Sequence, residues 1–331
     1  MEQIYGIDLS QTKFDVNFQD QNGNLKSFIV KNTLSGIEKF LDRIEPGSIL
    51  CAEHTGVYGE LLLFLTNLRN IKISLVSGYQ IKHSLGLKRG KSDKLDAMKI
   101  REYAERFTDK LHFLAPEIED LKELREIYSL RAIMVQERKM ILTRERGKAF
   151  LPYNSILVKQ VTNDMLLKMD EQIDKLEKEI IGIISSNEVL NNSYALITSI
   201  VGIGKVTSCE LIIKTGNFNR IPTARTAASY AGVCPFPNSS GKMVKKSRVS
   251  PLSDKSLKSL LFLCARIAVR YNKEYRLYYT KKELNKKHYY LIMNNVANKL
   301  LRTVYAIIKS GKPYDPNHIC MDPREEIKKV A

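Results

Sequence analysis

Residues 4–31, with the sequence IYGIDLSQTKFDVNFQDQNGNLKSFIVK, contain three short segments with the patterns of β-strands. Ile4–Asp8 is apolar and ends in an aspartate, whereas Lys13–Gln19 alternates between apolar and polar side chains, which is the period of a half-buried strand. The dipeptide Asn22-Gly23 is a strong hairpin signal, and Leu25–Lys31 returns as a third strand. This stretch therefore predicts three strands in hairpin order.

Helices and strands alternate after this hairpin. We predict a helix, a strand, a helix, a strand and a final helix, over Ser35–Ile44, Ser48–Glu53, Glu60–Leu68, Ile71–Val76 and Asp93–Phe107. Three strands in hairpin order, followed by alternating helices and strands, are typical of a ribonuclease-H-like (RuvC-like) sheet. We therefore expect an α/β domain over residues 1–110.

The middle of the chain, residues 111–190, has the pattern of two long amphipathic helices. Apolar residues recur at heptad-like spacing through Glu117–Ala149 and again through Asn154–Ile184, and Pro152 interrupts the pattern between them. We predict an antiparallel, coiled-coil helical hairpin. Its apolar face either forms a dimerisation interface or packs as a linker on its own domain, and the sequence leaves both readings open.

Residues 191–331 predict a mainly helical, all-α domain. The segment SIVGIGK, at 199–205, lies between two apolar helical stretches and has the character of a helix-hairpin-helix. Gly202 and Gly204 would let the backbone approach a phosphate, with Lys205 at the start of the following helix. The alternative is a glycine-rich turn between packed helices. Further helices are predicted over Ala224–Ala231, Ser253–Val269 and Asn294–Ile308.

The positive charge of the chain is concentrated toward its C-terminal end. The net charge is +17, and residues 235–312 carry 18 lysines and arginines against three acids, a surplus of +15. Such a surplus attracts polyanions, so we expect this segment to bind nucleic acid. The alternative is a solvated basic surface.

Other classes of protein are disfavoured by what the sequence lacks. It contains no run of about 18 apolar residues and no signal-peptide pattern, so we expect a cytoplasmic protein without a membrane span. The five cysteines are scattered and form no Cys-x-x-Cys pair, which indicates neither a zinc site nor a disulfide framework. We expect most of them to pack as reduced thiols.

Four acidic residues stand at positions that a fold of this type brings together. Asp8 and Glu53 lie at the C-terminal ends of predicted strands, and Asp93 and Asp96 share one face at the start of a predicted helix. Converging carboxylates repel one another unless a cation neutralises them, and hard oxygen ligands select Mg²⁺ or Mn²⁺. The four acids therefore predict a divalent-metal centre suited to phosphodiester cleavage.

The segment CPFPNSSGK, at 234–242, is predicted to be a turn-forming loop with two adjacent serines. The cations Lys242, Lys245, Lys246 and Arg248 end or follow it, and we expect them to contact phosphates unless they form an ordinary solvated surface. A serine hydroxyl is a weak nucleophile at neutral pH and needs activation. No histidine is an evident base, so the acidic centre is the candidate activator.

Seven motifs, taken together and in order, resemble a known family. They are GIDLS at 6–10, EHTGVY at 53–58, KSDKLDA at 91–97, IVGIG at 200–204, YAGVCP at 230–235, SG at 240–241 and SGKPYD at 310–315. The chain resembles the insertion-element transposases with a RuvC-like Asp-Glu-Asp-Asp domain and a serine-bearing transposase domain. This family includes the Piv-type invertases and the recombinases guided by a bridge RNA. The resemblance spans nearly the whole chain.

The resemblance implies a specific mechanism. It makes Asp8, Glu53, Asp93 and Asp96 the metal-binding acids and Ser240 the nucleophile that attacks DNA and forms a 5′-phosphoserine link. A bound guide RNA (the bridge RNA) would pair with donor and target double-stranded DNA. The family assembles as a homo-oligomer, a dimer or tetramer, in which acids and serine form composite centres. The implied location is the nucleoid of a bacterial or archaeal cell.

Some alternatives stay open at this point. Ser239 is the alternative nucleophile if the register of the loop shifts by one residue. The family's Lys-(Ala or Arg)-Gly turn after the serine is replaced here by Pro251–Lys255, which puts the local geometry in question. A metal-dependent nuclease or Holliday-junction resolvase, with water as nucleophile, is the alternative function, and a non-catalytic nucleic-acid-binding scaffold is a third.

Overall fold

A computed structural model of the chain contains two compact units, residues 1–116 and 117–331. The structure describes residues 3–86, 92–113, 118–240 and 243–317, and over residues 237–240 and 243–248 it describes backbone only. In this part of the chain no helix is long and apolar enough to cross a membrane. Each unit contains its own buried apolar core.

The first unit is built on a five-stranded mixed sheet. Its strands lie in the order β3-β2-β1-β4-β5, with the bounds β1 Ile4–Leu9, β2 Lys13–Gln19, β3 Leu25–Lys31, β4 Ile49–Glu53 and β5 Lys72–Val76. The β1, β2 and β3 strands are antiparallel neighbours, whereas β4 runs parallel to β1 and β5 runs parallel to β4. This topology is consistent with the ribonuclease-H-like sheet that the hairpin order predicts.

Helices cover both faces of this sheet. They are α1 Leu34–Leu41, α2 Glu60–Leu68, α3 Gly78–Ser84 and α4 Asp93–Arg106. Residues of α1 and α2 are buried in one core with Phe14 and Val16 of β2, whereas α3 and α4 are buried in a second core with Ile49 and Cys51 of β4. The sequence analysis did not predict α3, which is short and follows β5 closely.

The second unit begins with two long helices, α5 Glu119–Lys148 and α6 Ile156–Ser186. Arg131 lies 2.6 Å from the Glu177 carboxylate, and Arg138 donates to Asp170 at 2.9 Å. Moving one heptad forward along α5 therefore moves the partner one heptad back along α6, so the helices form an antiparallel hairpin.

The two ends of this helical hairpin differ in burial. Leu121 and Leu124 at the start of α5 and Ile184 near the end of α6 are buried in the core of the second unit. At the opposite end large apolar side chains face solvent, with Phe150 90% exposed and Ile156 76% exposed. The hairpin therefore packs on its own unit at one end and presents apolar surface at the other.

The remaining helices enclose the main core of the second unit. They are α7 Glu188–Thr198, α8 Lys205–Thr215, α9 Ala224–Tyr230, α10 Lys255–Tyr271, α11 Lys273–Leu284 and α12 Tyr289–Ser310. The buried stripe of α12 includes Val296, Leu300 and Val304, at the spacing of a helix with one face inside. The free thiols of Cys209 and Cys264 are buried in the same core, and Cys51 is buried in the first unit.

The serine segment differs from the predicted loop. Its backbone forms an antiparallel pair of strands, β6 Phe236–Ser240 and β7 Met243–Arg248, in which Ser240 is opposite Met243. A loop was predicted because proline and asparagine are poor strand formers, and that prediction was wrong. The register shifts between Phe236 and Asn238, which is where Pro237, without an N–H to donate, is tolerated.

Candidate active site

The sheet places two acids at equivalent positions on neighbouring parallel strands. Ile7 of β1 pairs with Ala52 of β4, and Asp8 and Glu53 are the next residues on these strands. Both lie at the C-terminal end of their strand, the edge at which active sites of open sheets with parallel strands form.

The other two acids lie in the first turn of α4. The hydroxyl of Ser92 caps this helix by accepting a hydrogen bond from the Leu95 amide at 3.3 Å. Asp93 carries a largely exposed carboxylate 3.8 Å from Lys13, and Asp96 accepts a hydrogen bond from Lys99 at 2.7 Å. Each of these two carboxylates thus has a lysine partner.

Gly6 brings α4 and the sheet into direct contact. A Cβ atom at Gly6 would lie 2.3 Å from the Ala97 carbonyl oxygen and 2.4 Å from the Arg101 amide nitrogen, closer than real Cβ atoms approach. Asp8 is two residues further along β1, so its side chain projects from the same face of the sheet. Absence of a side chain at Gly6 therefore sets the distance between Asp8 and the acidic first turn of α4.

Asp8 lies within electrostatic range of the other three acids. Burial, followed by the charges of Asp96, Glu53, Asp93 and Asp15, raises the pKa of Asp8 to about 6. Burial and then the charge of Asp96 raise the pKa of Glu53. Repulsion of this kind is typical of clustered carboxylates, and a bound cation would relieve it.

A fifth acid, Asp15, belongs to the same neighbourhood and was missed by the sequence analysis. It lies on β2 directly opposite Asp8 and is buried. Two residues further, Asn17 accepts a hydrogen bond from Nε of the buried Arg101 of α4 at 2.7 Å. The available signal was the polar face of β2, since alternation places Asp15 and Asn17 on one side of that strand.

These carboxylates fit a hard divalent cation by the chemistry of their oxygens. Their oxygens are not gathered as tightly as a bound ion would require: across the four described ranges, no three His, Cys, Asp or Glu residues form a group that could hold a metal ion. The acids interact through space while Asp93 and Asp96 remain paired with lysines. Their assignment as metal ligands stays a prediction.

The base of the β6–β7 hairpin is held by a polar network that the sequence analysis did not identify. Before β6, the Val233 carbonyl accepts hydrogen bonds from Asn294 at 2.9 Å and Asn298 at 3.2 Å, both on α12. After β7, the Asp254 amide donates to the Tyr230 carbonyl at 2.8 Å, which ties the two ends of the hairpin together. The serine segment therefore projects from a fixed base.

Asp254 connects this base to two helices. It caps α10 by accepting from the Leu257 amide at 2.9 Å, and it lies 3.0 Å from Lys214 of α8. Burial alone would raise the pKa of Asp254, but these hydrogen bonds and the Lys214 charge outweigh burial and lower it. The departure from the family pattern at Pro251–Lys255 thus supplies a helix cap.

Among the other predicted site residues, the α7–α8 turn is described in full. Gly202 has a φ of +104°, and a Cβ there would lie 3.0 Å from the Ala268 Cβ and the Cys264 carbonyl oxygen of α10, so this glycine is needed for close packing. Gly204 and Lys205 are exposed at the N-terminus of α8. Lys242 lies outside the described residues, and Ser240, Lys245, Lys246 and Arg248 are located by their backbone alone.

Two family models match the chain. Residues 5–148 match a model described as "Transposase", for the Asp-Glu-Asp-Asp domain of IS110 elements, and residues 194–280 match "Transposase IS116/IS110/IS902 family". The chain therefore belongs to the IS110/IS116/IS902 family and is an insertion-sequence transposase.

Three relatives agree with this assignment, two of them matched over nearly their full length and the third over a shorter segment. The chain is 29% identical over 325 residues to the pilin gene-inverting protein of Moraxella lacunata, covering 94% of this chain and 97% of that protein. It is 23% identical over 339 residues to the transposase for insertion sequence element IS1328 of Yersinia enterocolitica, covering 93% and 97%. An uncharacterised insertion element IS110 protein of Streptomyces coelicolor is 25% identical over 150 residues, covering 45% and 36%.

Proposed function

We propose that this transposase is a bridge-RNA-guided recombinase that exchanges DNA strands through a serine nucleophile assisted by a metal-binding acidic centre. The observation that carries the proposal is the position of Asp8 and Glu53 at the C-terminal ends of neighbouring parallel strands, with α4, whose first turn carries Asp93 and Asp96, packed directly on β1 at Gly6. The name of the Moraxella relative, which refers to inversion of a gene, supports recombination of double-stranded DNA over simple degradation.

In this proposal the four acids hold Mg²⁺ or Mn²⁺. The ion would supply Lewis-acid stabilisation of the charge that develops on the phosphate oxygens. Asp8 would bind the ion as a carboxylate, the form that predominates near neutral pH even though its pKa is raised to about 6. Asp93 and Asp96, whose carboxylates pair with Lys13 and Lys99, would be the other two ligands.

The proposed nucleophile is Ser240. Its Oγ forms a bond to the DNA phosphorus while the bond from phosphorus to the 3′ oxygen breaks. The serine proton passes to a carboxylate, and the released 3′ oxygen takes up a proton. The 5′-phosphoserine link conserves the phosphodiester energy, so strands can be rejoined without an external energy source. Ser239, one position earlier on β6, is the alternative nucleophile.

Binding of nucleic acid is assigned to two groups of residues. The exposed N-terminus of α8, with Gly202, Gly204 and Lys205, would meet a phosphate as the turn of a helix-hairpin-helix does. The cations of the serine hairpin, Lys242, Lys245, Lys246 and Arg248, would follow a phosphate backbone. Base pairing by the guide RNA would then select the donor and target sequences.

We further propose that the chain works as a homo-oligomer, a dimer or tetramer, at the nucleoid of a bacterial or archaeal cytoplasm. The exposed apolar end of the α5–α6 hairpin, with Phe150 and Ile156, is the proposed contact between copies. Functionally we divide the chain into a metal-binding domain (1–110), a dimerisation hairpin (111–190) and a serine domain (191–331). Acids and serine from different copies would complete one centre.

The test is detection of a covalent protein–DNA adduct with the co-purified RNA and a labelled DNA substrate. We expect the parent protein and Ser239→Ala to form the adduct, and Ser240→Ala and Asp8→Asn to lose it. An adduct retained by Ser240→Ala but lost by Ser239→Ala would assign the role to Ser239. Cleavage without an adduct in Ser240→Ala would instead support a metal-dependent nuclease or resolvase with water as nucleophile. Absence of RNA after native purification would remove the guided part of the proposal.

A further inference from the structure

An aromatic cluster lies in the second unit where α10, α11 and α12 meet. Tyr290 of α12 stacks on His288, with ring centroids 5.6 Å apart and planes inclined by 25°. Tyr290 also stacks on Phe262 of α10, with ring centroids 5.8 Å apart and planes inclined by 28°. We call these three near-parallel rings, His288, Tyr290 and Phe262, the aromatic ladder.

Burial alone does not explain the aromatic ladder. Phe262 is partly buried against the core, but Tyr290 is 65% exposed and His288 is exposed as well. Tyr289 packs edge-on against Tyr290, at 5.4 Å and 75°, and also edge-on against Phe262. Tyr290 and His288 therefore expose much of their surface to solvent, although Tyr290 also contacts His288, Phe262 and Tyr289.

The surroundings of the aromatic ladder are basic. Residues 281–290 contain four lysines and a single acid, Glu283, whose carboxylate accepts a hydrogen bond from the Tyr279 hydroxyl at 3.0 Å. Lys286 and Lys287 are exposed in the turn that leads directly into His288. The patch thus combines exposed aromatic side chains with adjacent positive charge.

We propose that the aromatic ladder binds a single strand of nucleic acid, with an unpaired base stacked on its exposed part at His288 and Tyr290 and phosphates held by Lys286 and Lys287. Exposed aromatic rings beside lysines match the alternation of base and phosphate along a single strand. Duplex DNA is a poor match because its bases are already stacked on one another and only their edges are accessible. The site is independent of the serine chemistry, and either RNA or opened DNA can supply the unpaired base.

The first test uses the absence of tryptophan from the chain. In full-length protein freed of nucleic acid, Tyr290→Trp introduces the only tryptophan of the chain into the aromatic ladder, where it can be excited at wavelengths that tyrosine does not absorb. Its matched control is Tyr271→Trp, because Tyr271 is 64% exposed on α10 but outside the ladder. We expect a 12-nucleotide single strand to quench Tyr290→Trp and to leave Tyr271→Trp nearly unchanged. An abasic strand of the same length should quench neither.

The second test measures the affinity of the same probes by fluorescence anisotropy. Tyr290→Ala should weaken binding of single-stranded RNA or DNA about tenfold, or about 1.4 kcal/mol, and leave duplex and abasic binding unchanged. The double variant Lys286→Ala/Lys287→Ala should weaken all probes and reduce the dependence of binding on salt. Comparison of RNA with DNA of the same sequence identifies which strand the site prefers.

Equal quenching of Tyr290→Trp and Tyr271→Trp, or quenching by the abasic strand, would overturn the proposal. In the affinity test Tyr271→Ala is the matched control, and an equal loss of affinity in Tyr290→Ala and Tyr271→Ala would also overturn it. Tyr290→Trp keeps an aromatic ring in place, so the fluorescence test remains decisive if Tyr290→Ala folds poorly. Both tests measure binding only, and their failure leaves the recombinase proposal and its adduct assay untouched.

Discussion

Replacing Gly6 with alanine would force α4 away from the sheet. The added Cβ would lie 2.3 Å from the Ala97 carbonyl oxygen, 2.4 Å from the Arg101 amide nitrogen and 2.7 Å from the Arg101 Cβ. Two of these neighbours are backbone atoms of a helix, so no side chain can turn aside. Ordinary contact distances would require the helix to move by about 1 Å.

We expect this movement to cost both stability and activity. Overpacking of this kind costs about 3 kcal/mol, which for a unit of this size lowers its melting temperature by about 10 °C. The first turn of α4 carries Asp93 and Asp96, so the same shift displaces them from Asp8. A displacement of about 1 Å in a catalytic group can reduce the rate about 100-fold.

The assay combines thermal unfolding, followed by circular dichroism, with DNA strand transfer. Gly182→Ala in α6 is the control because nothing lies within 4 Å of the added Cβ. Alanine favours a helix over glycine by up to about 1 kcal/mol, so this variant should be as stable as the parent or slightly more stable. If Gly6→Ala melts at the parent temperature, the close packing of β1 on α4 is refuted. A lower melting temperature with normal strand transfer would refute the positioning role.

Three further perturbations test neighbouring contacts. Gly78→Ala would place a Cβ 2.1 Å from Oε1 of Glu53. Because that oxygen is the end of a flexible side chain, the melting temperature should be nearly unchanged, but displacement of Glu53 should slow strand transfer about 100-fold. A normal rate of strand transfer would contradict this. Asn17→Ala removes the acceptor for Nε of the buried Arg101, which keeps its ion pair with Glu105, and should lower the free energy of unfolding by about 2 kcal/mol in urea titrations. Asn17→Asp, which keeps an acceptor, should lose less. The raised pKa of Asp8, about 6 against an ordinary 3.8, destabilises the folded state above pH 6 and ceases to do so below the ordinary value. In EDTA the parent should therefore gain stability relative to Asp8→Asn as the pH falls from 7 to 4, and parallel pH profiles would contradict this.

The strands of the first unit could be predicted from sequence because their patterns are local. Lys13–Gln19 and Leu25–Lys31 have the predicted bounds, since alternation and the Asn22-Gly23 turn define them without reference to the rest of the chain. The long helices α5 and α6 begin within two residues of their predicted starts for the same reason. Local periodicity is sufficient where an element buries one regular face.

The β6–β7 hairpin and the polar network at its base could not be predicted in this way. Pro237 and Asn238 disfavour a strand, and only pairing with β7 makes one. The base depends on Asp254 meeting Tyr230 and Lys214, which come from three separate parts of the chain. No period in the sequence encodes such contacts, because each is set by the packing of helices against one another.

Asp15 is an intermediate case, because the register of the first hairpin contains the information that locates it. Leu9 pairs with Phe14 across the turn between β1 and β2, and every step back along β1 is then a step forward along β2. Asp8 must therefore face Asp15, and the pleat turns both side chains to the side on which Gly6 meets α4. Predicting strands without pairing them identifies Asp8 as a strand-end acid. Pairing them also identifies a second carboxylate beside it, which contributes to the raised pKa of Asp8.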